Sequence, residues 1–296
     1  MEWAALSGDA MKTFALINPA AGGVAADGEL KMRHALDAAG LATAAIETLD
    51  HTNSALQMSE IADMNPDLFI VWGGDGTLRS ALARVGQKTP NLLLLPGGTM
   101  NLLTKSIHGS HPWDKILADT IKSPRHRTIA AGELNGERFY CAMLAGAPAR
   151  FAEARESLRR GEIGNVVAST RVALEALQTI HLKASVGTGY QCSDDRLPVT
   201  SFIGAMVGPL VKNGRMEIAA LTDTSTTGAL NVMWTSFLSD WRAAPGVKIV
   251  ESDTLIIDSE EDDDIPVILD GETIERTGSR IEVNFVEEAA QCLTAA

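Results

Sequence analysis

Along the first third of the chain, apolar residues fall in short continuous runs. Each run enters a turn rich in glycine or proline, and a stretch with helical spacing follows. Thr13 to Asn18 (TFALIN) is the first run and ends in Asn-Pro. Asp67 to Trp72 (DLFIVW) enters Gly73-Gly74-Asp75-Gly76-Thr77, and Asn91 to Leu95 (NLLLL) enters Pro96-Gly97-Gly98-Thr99-Met100-Asn101. Continuous apolar runs of this length read as strands buried on both faces. The spacing predicts helices over Asp27 to Ala39, stopped by Gly40, over Leu78 to Val85, and more weakly over His51 to Asp63. It also predicts a strand over Leu41 to Thr48 and a short helix after Asn101. Strands alternating with helices imply a parallel sheet covered on both faces, a Rossmann-like α/β layout.

The pattern changes near Ser123-Pro124. Ile129 to Leu134 and Arg138 to Leu144 flank Asn135-Gly136, a strong hairpin signal. Arg150 to Thr179 reads as one long helical stretch, and Leu230 to Leu238 as a short helix. The remaining runs read as strands: Leu182 to Val186, Thr200 to Val207, Met216 to Leu221, Thr254 to Asp258, Pro266 to Leu269 and Arg280 to Phe285. The second half is therefore expected to be β-rich, as a sandwich or curled sheet, with the boundary near residue 126.

Composition narrows the function classes. The 296 residues suggest two domains, and 45% hydrophobic residues suffice for ordinary cores. The formal net charge of −13 argues against a nucleic-acid binder, which needs a basic footprint, and against a permanent electrostatic hold on anionic lipid. No apolar run is long enough to cross a membrane, and no signal peptide is expected. Cys141, Cys192 and Cys292 are scattered, so neither a disulfide framework nor a zinc site is expected, and a cytoplasmic setting fits.

The two glycine turns carry the candidate chemistry. Glycine lets the backbone approach an anion closely, and a following helix offers free N–H groups and a positive dipole end. Asp75 is placed to orient a nucleotide or a magnesium ion, and Thr77 to cap the helix and donate to a phosphate. The bland alternative for Gly73 to Thr77 is a tight turn with a capping side chain. Neither GxxxxGK[ST] nor GxGxxG occurs. Asp270-Gly271-Glu272 follows an apolar strand. By its residues alone it reads first as a hairpin turn. If strand geometry persists through Gly271, both carboxylates face one cleft.

Asn18-Pro19, Gly73 to Thr77, Pro96 to Asn101 and Leu269-Asp270-Gly271-Glu272 occur in an order that resembles the diacylglycerol kinase catalytic family, which includes sphingosine kinases and bacterial lipid kinases. The resemblance covers most of the chain. It implies an ATP-binding α/β domain over residues 1–126 with a C-terminal return over 288–296. It also implies a β-rich lipid-substrate domain over 127–287, with a cleft between the two. It further implies transfer of the γ-phosphate of ATP, with Mg2+, to a lipid hydroxyl such as that of diacylglycerol or a sphingoid base. Asn18, Gly74, Asp75, Gly76, Thr77, Gly98, Thr99 and Asn101 would contact ATP, Asp75 would serve Mg2+, and Asp270 and Glu272 would form the catalytic acidic pair. Transient contact with a membrane surface and a homodimer are further implications. The alternatives are an NAD kinase-like enzyme, which carries a similar GGDGT turn, and a non-catalytic nucleotide or lipid sensor.

The sequence also departs from the family. Leu102-Leu103 stand where Asp-Phe usually follow Asn101. Cys141, Gly146 and Pro148 replace an Asn and a Gly-x-Asp, which implies an altered lipid pocket. Thr227 replaces the Asp linked to a structural magnesium. The run Glu260 to Asp264 reads as a solvated acidic loop. Arg150, Arg155, Arg159 and Arg160 read as an ordinary solvated helix face, and Trp113, Trp234 and Trp241 as core or interface. The histidines, His108, His111 and His126 among them, show no metal-ligand spacing.

Overall fold

The computed structural model describes residues 11–147, 149, 180–188, 191–197, 199–208, 214–221, 247–274 and 277–296. The chain divides into two compact units, residues 1–130 with 288–296, and residues 131–287.

The first unit is built on a four-stranded sheet in the order β2-β1-β3-β4. Its strands are β1 (Thr13–Ile17), β2 (Ala45–Thr48), β3 (Leu68–Gly73) and β4 (Leu92–Pro96), all parallel. Every residue of β3 is buried, as expected for a central parallel strand covered on both faces. The helices are α1 (Gly28–Ala38), α2 (Ser54–Asp63), α3 (Asp75–Val85), α4 (Leu102–His108) and α5 (Trp113–Lys122). One core joins Ile17, Ile70, Trp72, Leu93 and Leu95 from the sheet to Met32 and Leu36 of α1 and to Ile116 and Leu117 of α5. Trp113 packs on Trp72 with ring centroids 4.3 Å apart, so it belongs to this core.

Most elements form where the apolar pattern puts them, with three differences here. β2 begins only at Ala45, because Leu41 to Ala44 close a turn through the bond from Ala44 N–H to Leu41 C=O. Helix α3 starts at Asp75 rather than Leu78, drawing three residues of the glycine turn into its first turn. Helix α5 lies in a stretch left unassigned from sequence, although Trp113, Ile116, Leu117, Thr120 and Ile121 have helical spacing.

The second unit holds most of two six-stranded sheets, β12-β11-β10-β7-β14-β15 and β6-β5-β16-β13-β8-β9. The strands are β5 (Pro124–Leu134), β6 (Glu137–Phe139), β7 (Ala142–Gly146), β8 (Leu182–Thr188), β9 (Gln191–Arg196), β10 (Phe202–Met206), β11 (Met216–Leu221), β12 (Val247–Ser252), β13 (Thr254–Ser259), β14 (Val267–Leu269), β15 (Glu272–Ile274) and β16 (Arg280–Ala295). Alternate residues point inward, as the two-residue period requires. Met216, Ile218 and Ala220 of one sheet share a core with Leu182, Ala184 and Val186, Leu255 and Ile257, and Ile281 and Val283 of the other. That shared core makes the unit a β-sandwich. Asn135 and Gly136 both have positive φ, 52° and 83°, and form the two-residue turn between β5 and β6.

Strand β16 is much longer than the expected Arg280 to Phe285. Its last residues belong to the first unit, where Gln291 N–H donates to Gly86 C=O at 2.9 Å. The expected helices over 150–179 and 230–238, the arginines 150, 155, 159 and 160, Pro148, Thr227, Trp234 and Trp241 lie outside the described residues. Among the described residues, no helix is long and apolar enough to cross a membrane.

Candidate functional site

The two glycine turns lie at the carboxyl ends of the adjacent parallel strands β3 and β4. Open α/β sheets bind ligands at such ends. Gly97 N–H donates to Gly73 C=O at 2.8 Å, and Gly23 N–H donates to Gly97 C=O at 2.7 Å. Three loops are thereby tied in series. The approach is too close for side chains. A Cβ on Gly98 would sit 2.9 Å from Gly74 Cα, and one on Gly97 would sit 2.7 Å from the Val24 side chain and 3.1 Å from Gly73 Cα.

Gly74 is the N-cap of α3 and supplies no capping side chain. The first-turn N–H groups of Asp75, Gly76 and Thr77 are therefore available to an anion. This corrects the expectation that Thr77 caps the helix, because Thr77 is the third residue within it. Its side chain folds back over Gly73, where an added Cβ would meet Thr77 Cβ at 2.8 Å. Its hydroxyl Oγ1 accepts from Asn18 Nδ2 at 2.8 Å, while Asn18 Oδ1 accepts from Ala20 N–H at 3.0 Å. Asn18 is itself buried and its N–H donates to Trp72 C=O. The loop after β1 is thus fixed to the first turn of α3.

Asp75 has a structural partner in the next loop. Its Oδ1 accepts from Leu103 N–H at 3.1 Å, near the start of α4. A carboxylate there satisfies one orphan N–H and complements the helix dipole. Oδ2 is the oxygen left for a ligand. Asn101 holds the second loop in shape: it adopts φ 51°, its Oδ1 accepts from Gly98 N–H at 2.7 Å, and its Nδ2 donates to Gly98 C=O at 2.8 Å. Thr99 is exposed, with Oγ1 3.4 Å from the place of a Cβ on Gly22. Asn18, Gly74, Asp75, Gly76, Thr77, Gly98, Thr99 and Asn101 are therefore brought together in one unit. Leu102, where the family usually has Asp, is exposed as the first residue of α4.

Asp270 and Glu272 belong to the other unit. Asp270 and Gly271 have φ of 50° and 92°, and Leu269 pairs directly with Glu272 across β14 and β15. The segment is a two-residue hairpin turn, so the premise of an extended strand through Gly271 fails. The chain reverses between the two carboxylates. Asp270 Oδ2 accepts from Tyr140 N–H at 2.7 Å, and Oδ1 accepts from Cys141 and Ala142 N–H, each at 2.9 Å. Tyr140 and Cys141 lie in the break between β6 and β7, and Ala142 opens β7, a stretch the apolar pattern reads as one strand. Asp270 thus pins the turn to that break, while Glu272 is exposed at the start of β15. Cys141, where the family often has Asn, gives its backbone N–H to Asp270 and is buried.

The acidic run is a solvated loop. Glu260 pairs with Lys183 at 2.8 Å and Glu261 with His181 at 2.6 Å. That hydrogen bond from His181 lowers the pKa of Glu261. Among the described residues, no cluster of three or more metal-ligating side chains occurs.

A parallel α/β sheet with paired glycine turns in one unit and a β-sandwich in the other define the fold class as α/β plus β. Residues 12–134 match the family model of the diacylglycerol kinase catalytic domain. A diacylglycerol kinase of Staphylococcus saprophyticus is 29% identical over 114 residues, which are 38% of this chain and 36% of that protein. The match therefore spans about a third of that relative's length. The fold is similar to the crystal structure of a diacylglycerol kinase from Bacillus anthracis, with a TM-score of 0.65 at 15% identity over 97% of this chain and 98% of that one. A second Bacillus anthracis structure gives 0.66 at 17% identity, over 97% and 98%.

Proposed function

We propose that this protein is an ATP-dependent lipid kinase that transfers the γ-phosphate to a lipid hydroxyl, with diacylglycerol or a sphingoid base as the acceptor class. The observation that carries this reading is the Gly73–Thr77 turn locked against Gly97–Asn101 at the ends of adjacent parallel strands. The S. saprophyticus relative is named a diacylglycerol kinase, which supports the lipid acceptor over NAD. Residues 1–126 with 288–296 would serve as the ATP-binding domain and 127–287 as the lipid-substrate domain.

In this reading the backbone N–H groups of Gly74 to Thr77 and of Thr99 hold the nucleotide phosphates, and Asn18 and Asn101 keep the loops in register. Asp75 Oδ2 suits Mg2+ arriving with ATP. That ion is usually held by one or two carboxylates plus phosphates and water. When bound, Mg2+ supplies charge neutralisation on the β- and γ-phosphates. Glu272, exposed on the hairpin, takes the proton of the acceptor hydroxyl. Asp270 keeps the hairpin in place, with its oxygens committed to three backbone donors. The lipid is met at a membrane surface that the protein contacts transiently.

The test is transfer of labelled γ-phosphate from ATP, with magnesium, to a lipid panel in mixed micelles, beside NAD and a no-acceptor control. A labelled lipid is expected. Labelled NAD, or ATP binding with no labelled acceptor, would overturn the reading.

A further inference from the structure

The peptide between Pro96 and Gly97 opens the second glycine turn, and it is held at both ends. Its N–H, on Gly97, donates to Gly73 C=O at 2.8 Å. Its C=O, on Pro96, accepts from the indole Nε1 of Trp72 at 2.9 Å. Trp72 and Gly73 are the last two residues of β3. One short stretch of backbone and side chain therefore fixes the plane of that peptide.

Two features make the indole bond matter. First, β4 is the edge strand of its sheet, and alternate residues of an edge strand turn their backbone groups away from the neighbour. Gly97 bonds inward to β3, so Pro96 faces outward. Proline carries no N–H, which leaves one half-buried carbonyl to be satisfied there. Second, Gly97 has no Cβ, so the peptide before it rotates with little steric resistance. A flip would take Gly97 N–H off Gly73 and carry Gly98 and Thr99 with it. The indole itself has no freedom to follow. Trp72 is 1% exposed, its ring packs on Trp113 of α5 with centroids 4.3 Å apart, and a Cβ on Gly28 would come within 3.4 Å of its Cζ3. Its own C=O accepts from Asn18 N–H at 2.8 Å. A single buried side chain thus ties the second glycine turn to the frame that carries the first turn and the loop after β1.

We propose that Trp72 is a positioning residue for nucleotide binding, a role that rests on the reading of the two turns as the ATP site. Its indole N–H sets the plane of the Pro96–Gly97 peptide and, through it, the course of the backbone at Gly98 and Thr99. Trp72 is buried and acts through the turn rather than on the ligand. Removing the N–H should loosen the grip on ATP and leave the acceptor lipid unaffected.

Trp72→Phe keeps a buried ring and removes the donor. Because the smaller ring also loosens packing, a second protein carries benzothienylalanine in place of Trp72, with the outline of the indole and sulfur where the N–H was. Trp113→Phe is the comparison, since it loosens packing on the same ring and leaves Nε1 in place. Titration of the full chain with a non-hydrolysable ATP analogue and Mg2+ gives the affinity, lipid phosphorylation gives KM for each substrate, and urea unfolding gives the stability. Both replacements of Trp72 are expected to weaken nucleotide binding and raise KM for ATP by about tenfold, with KM for the lipid within about twofold of wild type. Trp113→Phe is expected to lower the urea midpoint while nucleotide affinity stays within about twofold. Wild-type affinity in the benzothienylalanine protein, or an equal loss of affinity in Trp113→Phe, would overturn the proposal and leave the ATP site standing. A wild-type chain that binds no nucleotide would overturn the ATP reading, and the role of Trp72 with it.

Discussion

Asn18 Nδ2 donates to Thr77 Oγ1 at 2.8 Å, across 59 positions of sequence. This single bond sets the loop after β1 against the first turn of α3, whose N–H groups have no capping side chain. Thr77→Val keeps the shape but removes the acceptor and leaves the buried Asn18 amide short of a partner. The expected loss of stability is about 1 kcal/mol, the usual net value of such a bond. The KM for ATP is expected to rise by about tenfold, because the loop loses its registration. Urea unfolding and steady-state kinetics read the two effects, and Thr77→Ser should restore both. A valine variant that matches wild type in both assays would show that the bond does not position the loop.

Gly98→Ala tests the close approach of the two turns. The new Cβ would lie 2.9 Å from Gly74 Cα and 3.2 Å from Asn101 Oδ1. Backbone on one side cannot swing away as a flexible side chain would. Overpacking of this kind costs about 1–3 kcal/mol. Nucleotide binding should fall more than global stability, because the strain is placed in the loop. Nucleotide affinity equal to wild type in a folded Gly98→Ala protein would refute the cradle.

The parallel sheet and its two turns were legible because β3 and β4 are continuous apolar runs entering glycine. The course of Asp270 was not. Asp-Gly signals a turn, but that Asp270 accepts from Tyr140, Cys141 and Ala142 depends on contacts across 128 to 130 positions. No local pattern encodes them. The same contacts explain why Arg138 to Leu144 read as one strand but form two. Helix α5 did carry its signal, in the spacing of Trp113, Ile116, Leu117, Thr120 and Ile121, yet interleaved charges obscured it. Strand β9 (QCSDDR) carries none of the apolar alternation that marks a strand. His108, His111 and His126 have no ligand spacing, and only the packing of α4, α5 and β5 brings them to one cavity.

Asp270 and Glu272 are separable by mutation. Asp270→Ala would orphan three backbone N–H groups at the β6–β7 break. Each unsatisfied buried donor costs about 1–3 kcal/mol, so a fall of several kcal/mol is expected and activity should be lost with the fold. Glu272→Gln keeps the size of an exposed side chain and removes its charge, and stability should change by no more than about 1 kcal/mol. If Glu272 is the base, kcat should fall by about a hundredfold or more with little change in KM for ATP. Thermal unfolding beside lipid phosphorylation distinguishes the two. Full activity in Glu272→Gln would remove it from the mechanism.

Acid should expose the cost of the buried His108. Burial lowers its pKa from the ordinary 6.5 to about 4, with nearby Arg127 and His111 adding to the shift and the Leu94 carbonyl opposing it. In the unfolded chain this histidine takes up a proton as pH falls through 6.5, whereas the folded chain resists until about 4. Between those values the unfolded state binds more protons, so stability rises with pH. The contribution is complete above 6.5, declines across the window and is lost below about 4. A shift of this size corresponds to roughly 3 kcal/mol. Replacing the ring by a group that does not titrate, as in His108→Gln, should flatten the stability curve across the window by about that amount relative to wild type. Urea midpoints at a series of pH values for both proteins give the difference. Parallel curves from pH 6.5 to 4 would mean that His108 titrates normally in the folded chain and that the ring is not held neutral by burial.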